Sequence, residues 1–166
     1  MPTDNELERL INEYGNTLLR MCYLFLKDYQ LAEDAVQETF IKVMKSYETF
    51  KHKSSEKTWI TRIAINVCKN EMRGGWFRIR KNNDFDEDTI GEKTFEDAVV
   101  DRDSLSRAIM RLNDVDREII ILYYYQELHI KEIAPIMHIS ENTALQRLRR
   151  ARGKLKKNLV EDGYEC

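Results

Sequence analysis

Glycine and proline are scarce, with six and two in 166 residues. Tight reversals depend on them, so a β-sandwich or a Rossmann-type sheet is a poor fit. Long apolar runs are missing too. None approaches the ~18–20 residues of a membrane span. The opening MPTDNELERL lacks the pattern of a secretory signal, so a cytoplasmic location is expected. Cys22, Cys68 and Cys166 are widely spaced and odd in number, and His52, His129 and His138 never pair with them at metal-ligand spacing. A disulfide framework and a zinc site are therefore not expected. There is no phosphate-cradling Gly-x-x-x-x-Gly-Lys-Ser/Thr loop, and no carboxylate–histidine cluster. The expectation is a protein without catalytic residues, metal, cofactor or small-molecule substrate, and not an enzyme.

What is present is charge, arranged in blocks. The chain is 42% hydrophobic and 34% charged, with a net charge of −2. Residues 1–50 sum to −4, residues 51–83 to +7, residues 84–103 to −7, residues 104–139 to −1 and residues 140–166 to +3. Two basic regions flank an acidic one, a pattern that a randomly solvated surface seldom shows.

Apolar spacing predicts helices. Leu7, Leu10, Ile11, Tyr14, Leu18, Met21, Cys22 and Phe25 recur at steps of three and four, giving an amphipathic helix over about residues 5–27. Asp28 is placed to cap a second helix with Leu31, Ala35, Val36, Phe40, Val43, Met44 and Tyr47 inward. Ser55 can cap a third, whose inward face is Trp59, Ile60, Ile63, Ala64 and Val67 and which Gly74-Gly75 stops. Residues 82–103 have weak periodicity and many acids and read as a flexible linker. Extended, 22 residues reach ~75 Å at about 3.4 Å each. The acidic block could also fold back on the basic regions in the free protein. Helical spacing resumes with Leu105, Ala108, Ile109 and Leu112, then with a helix capped by Asn113 or Asp114. The expected fold is all-α, with two small helical domains at 1–81 and 104–166 joined by a linker at 82–103.

The C-terminal part has the layout of a helix-turn-helix. Ile130, Ile133, Ala134 and Met137 give a short first helix its inner face, and Pro135 threatens to kink it. His138 holds the turn position that favours a left-handed backbone. Ser140 can cap the second helix. On that helix Leu145, Leu148, Leu155 and Leu159 form the expected core seam. Asn142, Thr143, Gln146 and Arg150 lie nearly opposite, with Arg147 and Arg149 on the flanks. Such side chains read base edges: Gln pairs with adenine and Arg with guanine. Arg152, Lys154, Lys156 and Lys157 suit phosphates. From the basic run alone, a solvated helix favoured by the helix dipole reads equally well. The short helix, capped turn and polar outer face together favour DNA.

In the first half, Asp34, Gln37 and Glu38 share a face at i, i+3 and i+4, which an ordinary solvated surface also explains. The third helix exposes Arg62, Asn66, Lys69, Asn70 and Arg73 on one side, near the aromatics Phe50, Trp59, Trp76 and Phe77. Cationic tracks beside aromatic surfaces suit single-stranded bases, although such aromatics are more often core.

Three stretches together, DYQLAEDAVQETFIKVMKSYETF, TWITRIAINVCKNEMR and REIIILYYYQELHIKEIAPIMHISENTALQRLRRARGKL, resemble the bacterial extracytoplasmic-function (ECF) sigma factors of RNA polymerase. The resemblance spans nearly the whole chain. It implies that Asp34, Gln37 and Glu38 grip a coiled coil of core RNA polymerase. It implies that Phe50, Lys51, His52, Lys53 and Ser54 form the loop that captures a flipped base of the minus-ten element. Arg62, Asn66, Asn70 and Arg73 would contact and open that element. Ser140, Asn142, Thr143, Gln146, Arg147 and Arg150 would read the minus-thirty-five element. Implied partners are core RNA polymerase, promoter DNA (duplex and single-stranded) and an anti-sigma factor, often membrane-anchored; the linker would thread the polymerase RNA path. Asn70 stands where the family commonly has aspartate, and Pro135 and His138 are unusual in the turn region. A regulator that binds duplex DNA without polymerase is the main rival, and it leaves the Asp34/Gln37/Glu38 face unexplained. A small nuclease is a second rival, without metal-spaced ligands to support it.

Overall fold

The computed structural model describes residues 2–74 and 104–163. Trp76, Phe77, the expected linker and Cys166 lie outside the described residues. Those described are all-α, with no strand among them.

Helix α1 spans Asp4–Leu26. Thr3 and Glu6 form a reciprocal capping box: the Glu6 amide donates to Thr3 Oγ1 at 3.2 Å, and the Thr3 amide to Glu6 Oε2 at 3.0 Å. Helix α2, Tyr29–Ser46, begins where Asp28 Oδ1 accepts from the Leu31 amide at 2.9 Å, and it closes in a 3-10 turn at Tyr47–Thr49. Helix α3, Glu56–Arg73, starts where Ser55 Oγ accepts from the Thr58 amide at 3.0 Å. All three caps satisfy amides that the first turn leaves without intrahelical partners. Gly74 ends α3 in an extended conformation, not the left-handed one that terminal glycines often take.

The second group contains α4 (Ser104–Met110), α5 (Asp114–Ile120), α6 (Ile130–Met137) and α7 (Glu141–Glu161). Asn113 caps α5 by accepting from the Asp116 amide at 2.9 Å. From Ile121 to Tyr125 the helix widens into a π turn, and the Gln126 amide donates to Ile121 O at 3.1 Å. Tyr123 and Tyr125 are half-buried while Tyr124 is exposed.

Three sequence expectations need correction. Leu145 is 40% exposed and does not belong to the α7 seam. The buried seam is Ala144, Leu148, Ala151 and Leu155. The two alanines let α7 lie close against its neighbours, which rotates the seam away from Leu145. Leu105 is likewise exposed, and α4 buries Ser104 and Ser106 beside Ala108 and Ile109. Finally, α1 is amphipathic only in its first part. Met21 through Leu26 are all buried, because α2 and α3 cover some sides of that end and the second helical group covers another. The two groups thus share one continuous apolar core.

Candidate nucleic-acid interface

The turn between α6 and α7 is built by His138, at φ 58° and ψ 42°. This left-handed residue lets the Ile139 amide reach back to Ala134 O at 3.0 Å. Helix α6 runs on through Pro135, which is exposed. Ser140 Oγ then accepts from the Thr143 amide at 3.1 Å and donates to Thr143 Oγ1 at 2.9 Å. Two of the expected base-reading hydroxyls are therefore also the cap that starts α7.

Asn142, Thr143 and Gln146 are exposed along the first turns of α7, and Arg147 is half-buried. Arg150 stands apart from them. Its Nη2 lies 3.8 Å from Oδ1 of Asp116, a fully buried carboxylate on α5. Lys154 lies closer still, with Nζ donating to Asp116 Oδ2 at 2.7 Å. Arg152 sits over the rings of Tyr123 and Tyr124, and its Nε donates to the Tyr124 hydroxyl at 2.6 Å. These cations help hold the domain together as well as charging its surface.

On α3, Arg62, Asn66, Asn70 and Arg73 are all exposed. Their steps of four, four and three keep them on one strip of the helix. Lys69 is set apart by an ion pair: its Nζ lies 2.8 Å from Glu118 Oε1. Before α3, the Phe50 ring stacks on Trp59 at 4.6 Å and 21°. The His52 ring follows at 4.4 Å from Phe50. His52 takes a left-handed backbone at φ 56°, and Lys51, Lys53 and Ser54 are exposed beside it. Three consecutive rings thus run from a half-buried tryptophan to solvent, flanked by cations. Flat π faces with nearby positive charge are what an unstacked base needs.

On α2, Asp34 and Gln37 are exposed and Glu38 partly so, with Lys42 Nζ 3.5 Å from Glu38 Oε1. Sequence reasoning missed a third acid of this surface. Glu71 of α3 has its pKa raised, by burial first and then by the charges of Glu38 and Asp34. Nothing in the linear spacing joins residues 38 and 71; only the packing of α3 on α2 does. Beside Gln37, a groove of about 670 Å³ runs between α1 and α2, with Ile11 and Ile41 45% and 51% exposed along it. Among the described residues, no group of three or more His, Cys, Asp or Glu side chains is placed to hold a metal ion, and no helix is long and apolar enough to cross a membrane.

Known proteins share this arrangement. The family model for Sigma-70 region 2 matches residues 10–78, and that for Sigma-70 region 4 matches residues 102–155. The chain is 30% identical to the RNA polymerase sigma factor YlaC of Bacillus subtilis (strain 168), over 97% of this chain and 96% of that protein. It is 32% identical to the ECF RNA polymerase sigma factor SigM of the same organism, over 90% and 93% of the two chains. Among solved structures, the sigma factor RpoE in complex with the anti-sigma factor NepR from Bartonella quintana aligns with a TM-score of 0.69 at 26% identity, covering 92% of this chain and 98% of that one. CnrH, solved in complex with the cytosolic domain of CnrY, has the same fold, with a TM-score of 0.70 at 22% identity over 96% and 91% of the chains. The chain belongs to the ECF sigma factors of RNA polymerase, alternative sigma factors that direct transcription initiation.

Proposed function

We propose that this sigma factor reads two promoter elements with separate helices and opens one of them with the loop before α3. The first half, assigned to residues 1–81, binds core polymerase and the minus-ten element. The second, residues 104–166, reads the minus-thirty-five element, and residues 82–103 connect them. The observation that carries this reading is the Trp59–Phe50–His52 ring series beside the exposed Arg62/Asn66/Asn70/Arg73 strip. A duplex-only binder has no use for a stacking surface next to a cationic track. Bases extruded from the minus-ten element stack there, Lys51 and Lys53 hold the backbone, and the exposed Ser54 hydroxyl, which donates to Ser55 O at 3.2 Å, can still accept from a base edge. The cost of strand separation is met by binding energy, without nucleotide hydrolysis. Asn142, Gln146 and Arg147 contact base edges of the upstream element, with Ser140 and Thr143 holding the helix start and its phosphates and Arg150 at the margin.

Asp34, Gln37 and Glu38, with Glu71, offer an acidic, amide-bearing surface to core polymerase. The neighbouring groove, with Ile11 and Ile41, can take apolar side chains of the same partner. An anti-sigma factor is the second expected partner, since related sigma factors have been solved with one.

Run-off transcription with core polymerase over a promoter library tests class and sequence preference together. Promoter-selective transcripts are expected, and Glu38→Lys should reduce them at least ~10-fold, the equivalent of about 1.4 kcal/mol. Unchanged transcription with Glu38→Lys would remove the polymerase assignment. Selectivity that is indifferent to Phe50→Ala would remove the stacking assignment.

A further inference from the structure

The loop that carries Phe50 and His52 is tied at its far end to α1. The tie is Glu56, the first residue of α3. Arg9 of α1 donates through Nη1 to Glu56 Oε1 and through Nη2 to Oε2, each at 3.0 Å. The Tyr14 hydroxyl donates to Oε1 at 3.1 Å. Arg9 is itself steadied by Glu13, whose Oε2 accepts from Nη1 at 2.9 Å. Arg9 and Glu56 stand 47 residues apart in sequence, so this contact sets one helix against another.

Stability alone does not account for such a cluster. The Arg9 side chain is 47% exposed, and an exposed ion pair adds little to folding. A paired guanidinium–carboxylate bond, however, fixes direction as well as distance. Tyr14 adds a third constraint from a half-buried ring packed on the core. Its pKa is pushed up to about 12, by burial first and then by the bond to Glu56, so the hydroxyl stays a donor at neutral pH. The carboxylate it meets is held below the usual range, by the Arg9 bond first, against burial, and then by Tyr14, the Arg9 charge and His52.

The ring series lies next to this grip. Glu56 and Trp59 stand at i and i+3, on one side of α3. Phe50 stacks on Trp59, and His52 on Phe50. The outermost ring returns to the same point, since the charge of His52 bears on Glu56. At the entry to the loop the Phe50 amide donates to Tyr47 O at 3.2 Å, and the Tyr47 ring meets Trp59 edge-on at 6.3 Å. The loop is thus secured on both sides of its exposed residues.

We propose, on the stacking reading above, that Arg9 and Tyr14 are positioning residues for strand opening: they grip Glu56, which sets the start of α3 and with it the surface of Trp59, Phe50 and His52. Neither touches DNA in this role. A surface already in place accepts a base without being ordered first, whereas a loosened loop loses conformational entropy at the moment of capture. Loss of the grip should therefore weaken opening of the minus-ten element. Polymerase binding and the reading of the upstream element should not change.

The test is permanganate footprinting of minus-ten thymines with core polymerase and the full chain, on a promoter taken from the run-off screen. Run-off transcription is measured beside it on the same duplex and on a template mismatched, and so already open, across the minus-ten element. Phe50→Ala is the reference and should lower thymine reactivity on the duplex roughly tenfold, the loss of one base-stacking contact. Arg9→Met and Glu56→Gln should each lower it at least ~3-fold, part of that contact. The mismatched template should bring their transcript yield back to within about twofold of wild type. The double variant Arg9→Met/Glu56→Gln should be no worse than either single one, because Arg9 acts through Glu56. Unchanged opening by Arg9→Met beside an impaired Phe50→Ala overturns the positioning role and leaves the stacking reading standing. Unimpaired opening by Phe50→Ala overturns the stacking reading, and the positioning role with it. Additive losses in the double variant, or losses that the mismatched template does not restore, also overturn the positioning role. If Arg9→Met loses its helicity by circular dichroism, Tyr14→Phe, which removes only a hydroxyl, takes its place: a loss on the duplex that the mismatch restores supports the role, and unchanged opening refutes it.

Discussion

Lys154→Met tests the mixed role of the cations on α7. Its ammonium donates to Asp116 at 2.7 Å, and that carboxylate is fully buried while the lysine side chain is 47% exposed. An exposed ion pair contributes about 0–1 kcal/mol. Removing one partner of a fully buried pair costs about 3–5 kcal/mol. This pair is buried on one side only, and Arg150, 3.8 Å away, can move in to compensate. The expected cost is therefore about 2 kcal/mol, between the two limits. In a chain of this size that lowers the melting temperature by about 4–8 °C. Adding Arg150→Met should cost more than the sum of the single changes, because each cation covers for the other. Thermal melts by circular dichroism, run as a double-variant cycle, measure both quantities. A Lys154→Met shift under about 1 °C, or strict additivity, would show that Asp116 does not need its cations and that they serve the surface alone.

Other outcomes follow from the same geometry. His138 holds a left-handed backbone at φ 58° in an exposed turn, so His138→Gly should raise stability by about 1 kcal/mol in a urea titration. Glu71 has a raised pKa, from burial and from Glu38 and Asp34. Its ionised form destabilises the fold above the folded pKa, and that penalty is gone below the unfolded value. Glu71→Gln should therefore raise the urea midpoint at neutral pH, with the gain shrinking as pH falls through the folded pKa toward the ordinary carboxylate range; a gain that grows on acidification contradicts the assignment. Gln146→Ala should cost about 1–3 kcal/mol of discrimination at one base pair of the upstream element, measured by competition between promoter variants at fixed salt, and leave the salt dependence unchanged.

The helix starts were legible because each rests on one short side chain: Asp28, Ser55 and Ser140 accept the amide bond expected of them, and of the two candidates Asn113 and Asp114 it is Asn113 that caps. The left-handed His138 was legible for the same local reason. The α7 seam was misjudged because leucines were weighted over alanines. Apolar spacing gives an angle, while Ala144 and Ala151 decide how near a neighbouring helix can come. The run Met21–Leu26 carried a signal that periodicity does not register: six consecutive apolar residues mark a helix end covered from every side. Glu118, Lys69 and Glu71 were beyond a linear reading, since their partners lie on other helices and each alone resembles an ordinary surface charge.

Helix α3 shows what separation of the two groups would demand. Thr61, Ile65 and Lys69 stand at i, i+4 and i+8, so they form one strip, and the first and last of them both bond into the second helical group. Ile65 between them is fully buried. Parting the groups bares that strip together with part of the Met21–Leu26 end of α1. Each such apolar side chain loses about 1.5–3 kcal/mol if fully returned to water. Apolar burial therefore holds the two groups together, and the Lys69–Glu118 pair adds to it along the same strip.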